Sequence, residues 1–178
     1  MSTAALAAVL CLPWLPLAAA TAHCTASRPA TADLVSHGLL TPSIASERRQ
    51  RLVDCLLCSA LAGNAASQEL AGTLYYQGQA REGNVLPRDI PRARRMLTAA
   101  ANRGRRHAMH RLAELELADN HPYEAALWMR VENAIHGAPL PPLAHLHRRI
   151  GAHVSPDARL DADVLLKVAE IRSATQPD

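Results

Sequence analysis

Phenylalanine is absent from this chain, and aromatic residues of every kind make up only 3% of its 178 residues. A sheet core draws on aromatic and β-branched side chains, so this composition speaks against strands. It also leaves few rings on which bases can stack, which makes nucleic acid a poor partner. Lysine is nearly missing: Lys167 is the only one, and every other basic side chain apart from histidine is arginine. Net charge is +3, too small for bulk electrostatics to demand a polyanion. Charged side chains are wholly missing from residues 1–22. Motifs of catalysis are missing as well. No G-x-S-x-G pattern occurs. Glu69, Glu114, Glu116 and Glu124 form no defensible acid–base pair, since residues two apart, like Glu114 and Glu116, do not share a helix face. No catalytic residue, cofactor or metal is assigned.

What is present is small and apolar. Hydrophobic residues make up 49%, mostly Ala, Leu and Val, which suits closely packed helices in one domain. Gly63 and Gly104 each close an alanine-rich stretch, and a similar pattern follows each. Aligned glycine to glycine, Ser67 falls on Ala108, Ala71 on Leu112 and Gly72 on Ala113. A weaker copy runs from Ala126 to Gly137, spaced like Ala93 to Gly104. Repeats of this length are usually stacked helix pairs that present a surface to another protein.

Residues 1–22 read as a signal peptide, with an apolar run and Ala20-Thr21-Ala22 as the cleavage site. Pro13 and Pro16 argue against a long membrane helix, and an uncleaved anchor is the alternative. Membrane contact is expected only through this segment, if it stays uncleaved. Cleavage implies a periplasmic or secreted protein in an oxidising compartment, with Cys24, Cys55 and Cys58 retained. The preferred reading is a disulfide from Cys24 to Cys55 or Cys58. A local 55–58 bridge and buried thiols are the alternatives. Cys55 and Cys58 fall about two turns into an expected helix, away from the N-terminal position that activates thiolates. A thiol-dependent or hydrolytic enzyme is the runner-up function.

Residues 23–42 are expected to be loosely ordered, apart from a short helix near 32–39, and residues 43–178 to form the helical repeat domain. Helices are expected from a Ser43 or Ser46 cap to about 62, then over 65–77, 90–104, 106–118, 122–136 and 143–150. A last helix is expected from Ser155 (N-cap) and Pro156. Expected packing faces are Leu52, Cys55, Leu56 and Leu61 on the first long helix, and Leu160, Val164, Leu165 and Val168 on the last. The last helix is read as a polar-faced cap on the stack. Gly72 inside a helix implies close approach by a neighbour.

The run Gly72, Tyr75, Gly78, Asp89, Ala93, Ala99-Ala100, Gly104 and Ala108 resembles a Sel1-like repeat, of the TPR-related family. Flanking copies are degenerate: Glu132 and Asn133 replace the Ala-Ala pair, and Met96 stands near the usual aromatic. The resemblance implies an all-α superhelical solenoid of stacked hairpins that scaffolds protein complexes, with immunity to a secreted effector as one version. Gly63 and Gly137 complete the structural set.

Residues 81–111 hold nine arginines opposed by Glu82 and Asp89. They read either as a surface for an acidic protein partner or as a solvated helix face. Arg94, Arg95, Arg105 and Tyr76 are the expected partner contacts, with Tyr76 as the aromatic anchor. Tyr75 and Trp128 are expected in the core. His107 and His110, three apart, and His145 and His147, two apart, read as surface histidines rather than ligands.

Overall fold

The computed structural model describes residues 29–137, 144–151, 153–154 and 157–176. The signal segment, Cys24, the prolines at 139, 141 and 142, and Ser155-Pro156 lie outside the described residues. Within them the chain is helical throughout: α1 (Thr31–Ser36), α2 (Ser46–Leu61), α3 (Ala65–Gln77), α4 (Ile90–Ala101), α5 (Arg106–Ala118), α6 (Pro122–His136), α7 (Ala144–Gly151) and α8 (Ala158–Thr175). Among the described residues there are no strands. Each of α2 to α6 packs on the next in sequence, α8 and α7 pack on α6, and α3 also touches α5.

The glycine echo is a repeated helix stop. Gly63 (φ +90°) donates to Ala60 O, and Asn64 donates to Ser59 O. Gly104 (φ +77°) and Arg105 repeat both bonds, to Ala101 O and Ala100 O. In each, a left-handed residue after the helix satisfies its last carbonyls and turns the chain at once into the next helix. Asn64 also starts α3, its side chain accepting from Ser67 N at 2.9 Å. The turn from α2 to α3 thus needs only residues 62–64.

The small residues permit close helix contact. Ala71, Ala93, Ala100, Ala101, Ala108, Ala113 and Ala125 are essentially fully buried, beside Leu56, Leu74, Leu97, Met109, Leu112 and Leu115. At Gly72 a Cβ would stand 2.7 Å from Leu97 Cγ and 3.1 Å from Leu97 N, so α3 and α4 meet where no side chain fits. Tyr75 and Trp128 lie in the core, as expected. The long connector of residues 78–89 is wired by buried Asn84, which donates to Leu74 O and Gly78 O and accepts from Leu86 N. Asp89 then caps α4 by accepting from Arg92 N.

Several local expectations are corrected. Neither Ser43 nor Ser46 caps α2, whose N-cap is Ala45 with no side-chain bond. The buried face of α2 is Val53, Leu56, Ser59 and Ala60, and Leu61 is 73% exposed. Ser59 is drawn inward because its hydroxyl accepts from the Ser67 hydroxyl, which also meets Thr31 Oγ1. The last helix is capped by Asp157, which accepts from Arg159 N at 3.0 Å. Its buried stripe is Leu160, Val164, Val168 and Ile171, whereas Leu165 is 71% exposed beside exposed Leu166. The spacing 160, 164, 168 and 171 follows the helical period and leaves position 165 outside it. The outer face of α8 is therefore not uniformly polar.

Candidate functional site

Arginine braces the helices. On α4, Arg94 donates from Nε to Glu116 Oε1 at 2.7 Å and from Nη2 to Glu116 Oε2 at 3.2 Å, and also reaches Asp119. At the start of α5, Arg105 makes the same two-pronged contact with Glu69 of α3, at 3.0 and 2.9 Å. Arg106 reaches Glu132 of α6 at 3.1 Å. Arg103 donates to Gly63 O at 2.6 Å, joining the ends of α4 and α2. Two-pronged pairing fixes direction as well as distance, so these clamps set how neighbouring helices sit. Of the expected contacts, Arg94 and Arg105 are thus engaged within the chain, and Arg95 is exposed on α4.

Tyr76 stands elsewhere, in an open cleft of about 520 Å³ between α3, α5 and α7. Its walls are Tyr76 from α3; His107, His110, Arg111, Glu114 and Leu117 from α5; and His145, Leu146 and Arg149 from α7. The helical period explains the α5 wall. Positions 107, 110, 111 and 114 share one face, while Ala108, Leu112 and Leu115 point into the core. Glu116, two past Glu114, turns away toward Arg94.

The electrostatics of the cleft are layered. Glu114 accepts from Arg111 at 2.5 Å and lies 3.4 Å from His110 Nε2. Burial pushes the Glu114 carboxyl up, but the hydrogen bonds from His110 and Arg111 outweigh it and hold the group below its ordinary value. Behind Glu114, His110 is 6% exposed and Glu132 is fully buried. Their facing atoms, His110 Nδ1 and Glu132 Oε2, are 3.9 Å apart, and neither has a hydrogen-bond partner. Polar side chains thus lead from the cleft through Glu114 and His110 to Glu132 and Arg106. His110 is the correction to the surface reading of the histidines: two carboxylates on two helices draw it inward. His107 and His145 are exposed, and the His147 side chain lies outside the described residues.

Glu116, Asp119 and His121 each offer a ligand atom within 4.8 Å of the others, the one group among the described residues placed to hold a metal ion. The Arg94 guanidinium already donates to both acids there, supplying the positive charge they face. Cys55 and Cys58 are half-buried in the second half of α2 and are not bridged to each other. Among the described residues, no helix is long and apolar enough to cross a membrane.

Glu132 is what sequence reasoning missed. Counted back from Gly137 it occupies the place that half-buried Ala99 holds before Gly104, and a carboxylate at an alanine position of the repeat was the available signal. Comparison of the chain with family models, with curated proteins and with solved structures gives no match.

Proposed function

We propose that this protein is an exported helical-repeat module that works by binding a segment of another protein, as an adaptor or as an inhibitor of a secreted effector. In this reading α3–α4 and α5–α6 are successive hairpins of a Sel1-like superhelical stack, and α3 and α5 line its inner face. The repeated stops at Gly63 and Gly104, 41 positions apart, and the contact of α3 with α5 support that arrangement. The apolar opening of the sequence supports export.

The observation that carries the reading is the cleft itself. It lies on α3 and α5, the two helices that follow the repeated glycine turns, and α7 adds a third wall. At about 520 Å³ it admits a few side chains of a guest. It offers one aromatic ring, Tyr76, among arginines and histidines, a composition suited to a protein contact. Arg94 and Arg105 hold the framing helices, and Arg95 supplies exposed charge nearby on α4.

A photo-reactive phenylalanine analogue placed at Tyr76, in cells producing the full chain, tests this. The expected result is an adduct of one discrete mass at Tyr76 and none from the same group at exposed Glu170 on α8. No adduct at Tyr76, or equal adducts at both positions, refutes it.

A further inference from the structure

We propose that the cleft between α3, α5 and α7 is a seat for a carboxylate-rich segment of the bound protein, and that it holds that segment more tightly as the pH falls. This inference rests on the reading of the cleft as a protein-binding site and names the chemistry of the guest.

Several charges of the cleft are already spent. Arg111 and Glu114 neutralise each other through their hydrogen bond. His110 is committed between Glu114 and Glu132, and Glu132 is answered from behind by Arg106. Three basic side chains remain on the cleft walls: His107 on α5, and His145 and Arg149 on α7. All three are exposed, and none has a hydrogen bond or ion pair among the described residues. From α3 the cleft receives only the Tyr76 side chain. Arg88 and Asp119 stand beyond Tyr76, in a neighbouring notch of about 50 Å³. No unpaired carboxylate faces the three free bases.

The uncompensated charge is therefore one arginine when the histidines are neutral, and one arginine with two imidazolium groups when they are not. Histidine changes charge between about pH 5 and 8. Carboxylates of a guest keep their charge down to about pH 4. Between these limits acidification adds attraction without removing the charge it acts on. Two such exposed pairs together make about a two- to thirtyfold change in affinity, with about tenfold in the middle of that range.

The test is fluorescence anisotropy with a labelled hexapeptide of alternating Glu and Asp and with its Gln–Asn counterpart, at about pH 5.5 and about pH 8, on the full chain. The acidic peptide is expected to bind about tenfold more tightly at the lower pH, with the amide peptide not binding. His107→Ala/His145→Ala should bring the two affinities within about threefold of each other. Arg149→Ala should weaken binding at both pH values. Circular dichroism checks that each variant keeps its helix. Equal binding at the two pH values, a pH response that survives the double histidine variant, or equal binding of the amide peptide overturns the proposal. If those results come with a Tyr76 adduct, the protein-binding reading stands and only the carboxylate seat falls. If the adduct is missing too, both fall.

Discussion

Replacing Gly72 with alanine separates two opposite expectations. In an exposed helix the change is stabilising, because glycine costs about 1 kcal/mol relative to alanine. Here the added Cβ would lie 2.7 Å from Leu97 Cγ, 3.1 Å from Leu97 Cδ2 and 3.1 Å from Leu97 N. Leu97 is fully buried, so its side chain has little room to yield, and its backbone nitrogen moves only if α4 moves. Overpacking of this kind costs about 1–3 kcal/mol. Set against the propensity gain, the expected outcome is a net loss of up to about 2 kcal/mol. That corresponds to a fall of up to about 8 °C in melting temperature for a domain of this size. Urea unfolding followed by circular dichroism measures it. Leu97→Ala removes the two obstructing side-chain atoms and leaves only the nitrogen at 3.1 Å, so in that background Gly72→Ala should become less costly or neutral, a coupling of about 1–3 kcal/mol. A Gly72→Ala variant about 1 kcal/mol more stable than the parent, with no coupling to Leu97, would refute close contact of α3 and α4 at this point.

Other predictions concern charge. Arg106→Ala leaves the fully buried Glu132 carboxylate without this guanidinium and should cost about 3 kcal/mol or more, read by the same unfolding curves; a loss under about 1 kcal/mol would show that the pair is not formed. Because the Glu114 carboxyl is held below its ordinary value in the folded chain, its contribution is present above the unfolded carboxylate pKa of about 4.3 and fades as pH falls through the lower folded value. Glu114→Gln should therefore flatten the loss of stability below about pH 4.5, and an unchanged acid limb contradicts the assignment.

The all-helical class and most helix positions were legible because glycine stops, the Asp89 cap and buried alanines act locally. The turn at Gly63 follows from a left-handed residue after a helix, whatever lies around it. Facing was less legible. Leu61 and Leu165 are apolar and sit near a helical stripe, yet both face outward, since the exact rotation of a helix is decided by its neighbours. Polar hydrogen bonds did what hydrophobicity did not, turning Ser59 and Ser67 inward. The arginine run illustrates the same limit for the site. Sequence counts charges but not their partners, and Glu69, Glu116 and Glu132 lie 36, 22 and 26 positions from the arginines they bind. Tyr76 was singled out because it adjoins a core tyrosine and must point elsewhere. The cleft it points into needed α7, which no local pattern places beside α5.

Hydrogen exchange of the full chain, alone and with the protein captured at Tyr76, tests the central claim most directly. The account predicts slower exchange in the end of α3, in α5 over residues 107–118 and in α7 over residues 144–151, with α2 and α8 unchanged. Protection centred on α2 or α8 with the cleft helices unaffected would contradict it.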